Sequence, residues 1–189
     1  MKNYIEMDQI HGNRIILVSK KDNGKVVKKC DGMITNDPEA TLSVHVADCL
    51  PIFFYSPSTN SIGVVHAGWR GLYKGIIGKT VELMYKKFEA VPKDITTYIG
   101  PHICQKHYEI KNDVSVRFTR YSRAIKKSDG KIYLDLGRIA KDQLIESGIS
   151  KIKIKIDEQC TFENMTLDSY RRGDLTKRTK YLFKLPSSS

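Results

Sequence analysis

Three side chains of the sequence have the chemistry of ligands for one metal ion. His11 lies in the segment Gln-Ile-His-Gly, Cys49 in Ala-Asp-Cys-Leu-Pro and His66 in His-Ala-Gly-Trp-Arg-Gly. Zn²⁺ accepts imidazole nitrogen and thiolate sulfur together, and three protein ligands leave one coordination position open, as in catalytic zinc sites. The spacing matches no regular metal-binding motif, so a structural interpretation stays open: a turn histidine, a buried cysteine and a hydrogen-bonded core histidine.

The residues after His66 favour an anion site beside these side chains. A Gly-flanked Trp69-Arg70 pair stands where a predicted strand meets a predicted helix. Backbone amides at a helix N-terminus and an arginine guanidinium both bind anions well. The sequence therefore predicts that Arg70 takes part in anion binding next to His66.

Two periodicities predict the elements that must position these residues. Short runs rich in Ile, Val, Phe and Tyr predict strands over 14–18, 42–46, 51–55, 62–66, 95–99, 152–156 and 181–185. Apolar residues three to four apart predict helices over 72–88, 112–121 and 136–147, with Gly148 ending the last. The continuous apolar run 62–65 predicts a strand buried on both faces, whereas the strict Lys/Ile alternation of 151–156 predicts a half-exposed strand.

The order of these elements predicts a mixed chain without regular β-α-β alternation, for which an α+β sandwich is the expected fold. We expect one domain over residues 1–186 of the 189-residue chain and a frayed serine tail at 187–189. Mean hydropathy is −0.38 and no stretch approaches the roughly 18 to 20 apolar residues of a membrane span, so a membrane protein is not expected. The N-terminus has acids where a signal peptide is apolar, which predicts a cytoplasmic location.

The charge balance predicts anionic partners. Lys and Arg number 32 against 21 Asp and Glu, which gives a net charge of +11. The basic residues are scattered in pairs, without a long run, a zinc-finger spacing or an RNA-recognition signature, so dedicated nucleic-acid binding is not expected. A small phosphate-bearing substrate suits such a basic surface equally well.

A series of motifs, in order, resembles the laccase-domain family. They are Gln9-Ile-His-Gly12, Ala47-Asp-Cys-Leu-Pro51, His66-Ala-Gly-Trp-Arg-Gly71, Ile99-Gly-Pro101, Leu134-Asp-Leu136, Cys160-Thr161 and Ser169-Tyr-Arg-Arg172. The resemblance runs over almost the whole chain, and the block 66–71 is highly specific. That family was long labelled multicopper polyphenol oxidase and is now described as zinc-dependent purine nucleoside phosphorylase with adenosine deaminase activity.

The resemblance implies a fold, a cofactor and substrates. The implied fold is a single-domain four-layer α/β/β/α sandwich with mixed sheets. The implied cofactor is zinc held by His11, Cys49 and His66, the trio that ligand chemistry also proposes. The implied partners are inorganic phosphate and purine nucleosides: adenosine, inosine, guanosine and methylthioadenosine.

The implied reactions give roles to further residues. Phosphorolysis needs fixed cations for a phosphate dianion, and the candidates are Arg70 and Arg171, followed by Arg172; pairing with carboxylates at strand ends is the structural alternative. Asp48 is the carboxylate beside the metal ligands, as an orienting group, a proton carrier or a structural cap. In the deaminase reaction, water attacks C6 of adenosine while Asp48 or a nearby group moves protons.

Two departures from the family pattern affect the predicted site. Relatives carry several dozen residues, including arginine motifs, ahead of Gln-x-His-Gly, whereas eight residues precede Gln9; either the true start lies upstream or a shortened member lacks an arginine. Where relatives often show Cys-Cys before an aromatic residue, this chain has Lys106-His107. His102, Cys104 and His107 then either line the pocket or belong to a loop without a role in the chemistry.

Two other functions are compatible with the same residues. Cys49 and His66 also suit a thiol nucleophile and its base in a cysteine hydrolase, since a thiolate is both a nucleophile and a zinc ligand. The other alternative is a truncated zinc-binding member without activity. A copper oxidase is not favoured, because a multicopper site needs many histidines and the chain has five. The oligomeric state is not predicted.

Overall fold

A computed structural model of the chain describes residues 3–186, so the predicted tail at 187–189 lies outside the described residues. The elements in this range are β1 (Glu6–Met7), β2 (Ile15–Leu17), β3 (Val26–Val27), β4 (Gly32–Thr35), β5 (Thr41–Val46), β6 (Leu50–Ser56), β7 (Ser61–Ala67), α1 (Trp69–Tyr73), α2 (Ile76–Phe88), β8 (Thr96–Ile99), β9 (Glu109–Ile110), α3 (Asn112–Ser115), β10 (Ile125–Ser128), β11 (Lys131–Leu134), α4 (Leu136–Glu146), β12 (Ile154–Ile156) and β13 (Thr179–Lys184). None of the helices in this range is long and apolar enough to span a membrane.

A six-stranded mixed sheet in the order β12-β8-β6-β7-β4-β2 forms the centre of the fold. The inner pairings, β8-β6, β6-β7 and β7-β4, are antiparallel, and the two outer pairings are parallel. β7 is buried along its whole length, as predicted for 62–65. A single mixed α and β domain with mixed sheets is thus present, which confirms the predicted fold class.

Two hydrophobic cores lie on opposite faces of this sheet. Because side chains alternate along a strand, Ile52 and Phe54 of β6 enter the core beneath helices α2 and α4, whereas Phe53 enters the second core. The second core is closed by the antiparallel pair β5-β13, which contributes Leu42 and Val44. The helices, the six-stranded sheet and the β5-β13 pair are therefore successive layers. The even-numbered residues of β7 face the β5-β13 pair.

The helix predicted over 72–88 is divided into α1 and α2. The division falls at Gly75, whose φ of +72° is in the left-handed region that favours glycine. α1 begins earlier than predicted, at Trp69, directly after the Gly68 N-cap. The helix predicted over 136–147 is observed as α4 and is followed by Gly148 at φ +90°.

Two sequence predictions were wrong in part. Of 152–156, only Ile154–Ile156 is a strand; Lys151–Lys153 forms a 3₁₀ turn, and this turn leaves Ile152 87% exposed. The helix predicted over 112–121 is one short α-helix followed by a 3₁₀ segment with a non-helical backbone at Phe118. Phe118 is 1% exposed, so the packing of its ring overrides the local periodicity.

Candidate metal centre and substrate pocket

The three predicted ligands meet where β7 ends and β6 begins. β6 and β7 are antiparallel, with Leu50 opposite Ala67, so Cys49 and His66 come to the same end of the sheet. One potential ligand atom from each of His11, Cys49 and His66 lies within 4.8 Å of the other two. We call this group the His-Cys-His cluster. Its donor set is the one that zinc accepts in a site with an open position.

A buried carboxylate, Asp31, fixes two members of the cluster. Asp31 is 0% exposed. Its Oδ1 accepts hydrogen bonds from Nδ1 of His66 and from the backbone amide of His11, both at 2.9 Å, while Oδ2 accepts from the amide of Gly12 at 2.6 Å. Because a carboxylate only accepts, the proton of the neutral His66 ring lies on Nδ1, and Nε2 is left for a metal.

Sequence reasoning missed Asp31 because it missed β4. The run Gly32-Met-Ile-Thr35 is short and contains a glycine, yet it pairs with both β2 and β7 inside the sheet. The amide of His66 donates to the carbonyl of Asp31 at 2.8 Å, so the pairing of β4 with β7 sets Asp31 beside His66. The available signal was an acidic residue directly ahead of a short apolar run.

The loop that carries His11 depends on the same carboxylate. His11 has φ +56°, an unfavourable backbone conformation for a residue with a Cβ. Three consecutive amides, those of Ile10, His11 and Gly12, point at the Asp31 carboxylate. These hydrogen bonds stabilise the strained turn and so bring His11 to the ends of β6 and β7.

Charge interactions in the metal-free cluster favour a thiolate and an imidazolium. Burial opposes ionisation of Cys49, but the positive charge of His66 and hydrogen bonds from His11 and His66 lower the pKa of the thiol to about 6. Burial likewise favours neutral His66, but Cys49 and Asp31 raise its pKa to about 9. Burial would also raise the pKa of Asp31, yet its hydrogen bonds hold that pKa below the usual value. Thiolate formation prepares Cys49 for either metal binding or nucleophilic attack.

Gly68 leaves the space that the cluster occupies. A Cβ on Gly68 would lie 2.8 Å from Sγ of Cys49 and 3.4 Å from the His11 ring. Its φ of −81° is open to any residue, so the requirement for glycine is steric. The glycine of the His-Ala-Gly-Trp motif is therefore explained by the close approach of Cys49.

The Asp48 carboxylate contacts the loops around the cluster. Its Oδ1 accepts a hydrogen bond from the Thr161 hydroxyl and its Oδ2 one from the Arg171 amide, both at 2.7 Å. Asp48 itself is 6% exposed and has φ +83°. This geometry ties the turn before Cys49 to two distant segments. A positioning role for Asp48 stays a prediction, and these contacts favour it.

A pocket of about 630 Å³ opens above the His-Cys-His cluster. Its lining includes aromatic rings and arginines: Trp69, Tyr108, Tyr170, Arg70, Arg171 and Arg178. The volume falls in the range of small-molecule sites. Flat rings and cations beside a metal-type cluster suit a planar group and an anion.

The three arginines proposed from the sequence differ in their contacts. Arg70 lies 4.5 Å above the Trp69 ring, and within residues 3–186 no carboxylate pairs with its guanidinium. Arg171 donates through Nη2 to the carbonyl of Glu109 at 3.0 Å. Arg172 donates to several backbone carbonyls and pairs with Asp174 at 2.6 Å, so it stabilises its own loop. Arg70 is the arginine with the most freedom to bind an anion.

The segment with Lys106 and His107 lies beside the pocket. Tyr108 is in the pocket lining, whereas His102 and Cys104 border a different cavity of about 710 Å³ next to α4. His107 stacks on Phe162, with ring centroids 4.2 Å apart. Only Tyr108, which the sequence did not single out, extends from this segment into the pocket above the cluster.

The chain matches the family described as multi-copper polyphenol oxidoreductase laccase over residues 1–180. The chain belongs to this laccase family. Among curated family relatives, purine nucleoside phosphorylase YlmD of Bacillus subtilis is 32% identical over 189 residues, which cover 94% of this chain and 68% of the relative. The purine nucleoside phosphorylase of Aquifex aeolicus is 37% identical over 170 residues, which cover 90% and 77%. The resemblance found in the motifs is confirmed.

Solved structures of the laccase family have the same fold. The crystal structure of YlmD from Geobacillus stearothermophilus superposes with a TM-score of 0.91 at 30% identity, covering 98% of this chain and 74% of that one. The Neisseria meningitidis protein NMB0706 gives a TM-score of 0.84 at 26% identity, covering 97% and 76%. The names of the curated relatives support an enzyme.

In metal-free protein, we expect Cys49 to react with iodoacetamide as a thiolate at neutral pH. Its pKa of about 6 predicts that the alkylation rate is half its plateau near that pH. His66→Gln removes the positive charge, so the half-plateau should rise by roughly one pH unit or more. Peptide mass spectrometry measures each cysteine separately, and Cys30, whose burial raises its pKa to about 12, is the internal control. The same profile in both proteins would contradict the thiolate–imidazolium pair.

Proposed function

We propose that this chain is a zinc-dependent purine nucleoside phosphorylase. The observation that carries the proposal is one pocket lined by the His-Cys-His cluster, by aromatic rings and by Arg70, which pairs with no carboxylate of residues 3–186. Curated relatives at 32% and 37% identity carry the name purine nucleoside phosphorylase. The proposed substrates are inorganic phosphate and the nucleosides adenosine, inosine, guanosine and methylthioadenosine.

The proposed ligands of the metal are His11, Cys49 and His66. Their donors fit zinc in number and type: two imidazole nitrogens and a sulfur, all within 4.8 Å. The Asp31 hydrogen bond leaves Nε2 of His66 available, which is the usual support for a metal-binding histidine. When bound, zinc supplies Lewis-acid catalysis at an open coordination position.

Phosphorolysis joins a phosphate oxygen to C1′ of the ribose and breaks the bond from C1′ to N9, so the purine leaves and takes up a proton. We assign phosphate binding to Arg70, supported by Arg171, which also lines the pocket. Burial, with Cys49 nearby, raises the pKa of Tyr108 above its usual range. Tyr108 therefore stays protonated at neutral pH and can donate a hydrogen bond to the purine.

We extend the proposal to adenosine deaminase activity in the same pocket. Water replaces the amino group at C6 of adenosine, which yields inosine and ammonia. Asp48 is the buried carboxylate next to Cys49, but both of its oxygens already accept hydrogen bonds. We therefore assign Asp48 to positioning, through the turn that holds Cys49 and through the amide of Arg171.

A thiol hydrolase is the second candidate, and one observation favours it. Cys49, His66 and Asp31 form a spatial triad of nucleophile, base and orienting carboxylate, as activated thiols use. A chelator separates the two candidates. If the chelator removes zinc and phosphorolysis stops, the metalloenzyme is supported. If the metal-free protein still turns over substrate and alkylation of Cys49 inactivates it, the thiol enzyme is supported. Bound zinc without any turnover would indicate an inactive family member.

Gly68→Ala tests the cluster without removing a donor. The new Cβ would lie 2.8 Å from Sγ of Cys49 and displace it. We expect bound zinc to fall and phosphorolysis of inosine to drop by about 100-fold, since small misplacements of reacting groups cost that much. Metal content, purine release with phosphate and the melting temperature should be measured together.

The matched control for Gly68→Ala is Gly78→Ala. Gly78 lies in α2, and its Cβ would make an ordinary contact of 3.6 Å with Ser147. This variant should keep its zinc and its activity and gain a little stability from higher helix propensity. Full zinc and full activity in Gly68→Ala would contradict the assignment.

Arg70→Ala tests the phosphate role. We expect the KM for phosphate to rise by about tenfold to 100-fold, the value of one charge-assisted hydrogen bond, with a smaller change in the KM for inosine. The control is Arg117→Ala, because Arg117 also lies over an aromatic ring, at 5.1 Å from Tyr73, and lies outside this pocket. Equal effects of the two variants would contradict a specific role for Arg70.

A further inference from the structure

Two tight turns beside the pocket each carry a cysteine and, three residues later, a second metal-type donor. In the first turn, the amide of His107 donates to the carbonyl of Cys104 at 3.1 Å. In the second, the amide of Glu163 donates to the carbonyl of Cys160, also at 3.1 Å. Residues i and i+3 of a 3₁₀-type turn lie on the same side. Each turn therefore presents its two donors on one face.

The two turns face each other. The amide of Cys104 donates to Sγ of Cys160 at 3.2 Å. On the other side of the contact, Nε2 of His107 lies 2.9 Å from Oε1 of Glu163. One ligand atom each from Cys104, His107 and Glu163 lies within 4.8 Å of the other two. A β-bridge from His102 to Cys160 holds the backbones of the two segments together.

Pairs of tight turns with donors at i and i+3 are the usual framework of structural zinc sites, which bind through four protein ligands. We propose that this chain has a second site, separate from the His-Cys-His cluster, for a thiophilic divalent cation of the zinc class. Its ligands are Cys104, His107 and Glu163, whose donor atoms lie within 4.8 Å of one another, and Cys160, which lies outside that group, as the fourth. The inference is independent of the proposed phosphorylase activity, because it rests on other residues and on another pair of loops.

The surroundings of these four residues suit ligation. Cys160 is 5% exposed and Cys104 is half-buried, and Cys104 borders the cavity next to α4, which gives an ion a path to the thiols. The His107 ring is fixed by stacking on Phe162. Lys106 pairs with Glu163, but both side chains are largely exposed, so the ion would replace a weak interaction. Binding would release the two thiol protons to solvent.

An ion in this site would stabilise one wall of the pocket. Tyr108 directly follows His107, and Thr161, whose hydroxyl bonds Asp48, directly follows Cys160. Arg171 donates to the carbonyls of His107 and Glu109. Because the ion would join the two turns, it would also join the segments that carry Tyr108 and Arg171. Its role would be that of a structural ion.

Titration of the full-length, metal-free chain with Co²⁺, under a phosphine reductant, tests the second site. Thiolate-to-cobalt charge-transfer absorption counts bound ions and grows with the number of thiolates. We expect two equivalents per chain in the wild type. Cys104→Ser should bind one, and Cys49→Ser should also bind one, with the stronger band per ion because its remaining site has two thiolates. Lys106→Gln, which removes the competing cation, is the control and should keep two.

The other outcomes are equally decisive. One equivalent in the wild type that disappears in Cys49→Ser would overturn the second site, as would two equivalents that Cys104→Ser leaves unchanged. One equivalent that disappears only in Cys104→Ser would support this site and contradict the His-Cys-His cluster. Thermal melts of each metal-free variant, followed by circular dichroism, check that a variant that binds fewer ions is still folded. Bound Co²⁺ should raise the wild-type melting temperature by mass action.

Discussion

The arrangement at the candidate centre depends on one buried carboxylate. Asp31 has no exposed surface, and its cost of burial is offset by the His66 ring and three consecutive backbone amides. Those same hydrogen bonds determine the ring orientation of His66 and the strained turn of His11. Without Asp31, two of the three members of the cluster would lose the contacts that bring them to Cys49.

Asp48 holds two loops beside the pocket in place, as Asp31 holds His66 and the His11 turn. Each of its oxygens accepts one hydrogen bond, from Thr161 and from the amide of Arg171, residues more than a hundred positions further along the chain. Two buried carboxylates therefore hold loops from distant parts of the sequence around one cavity. The sheet supplies the rigid edge, and the carboxylates attach the loops to it.

The sequence was most informative where chemistry or periodicity is local. Donor type and motif grouped His11, Cys49 and His66, whose donor atoms do lie within 4.8 Å of one another. Apolar patterns predicted β7 and α4. Asp31 was not found, because its role arises from the pairing of β4 with β7, which a short glycine-containing run does not reveal. Tyr108 was missed for the same reason: its place in the pocket is set by contacts between loops. The failed alternation at Ile152 shows that a 3₁₀ turn can interrupt a strand pattern without a Gly or Pro signal.

The most direct test of the central role of Asp31 is the zinc dissociation constant of Asp31→Asn compared with that of the wild type. Asn keeps the shape of Asp but loses the charge that holds the Nδ1–H of His66. The account predicts binding weaker by about 10-fold to 100-fold, as when the supporting partner of a metal-bound histidine is removed. Asp37→Asn, which alters a carboxylate that accepts hydrogen bonds from the backbone amides of Lys20 and Glu39 outside the pocket, should bind zinc like the wild type. An unchanged dissociation constant in Asp31→Asn would contradict the central role of this carboxylate.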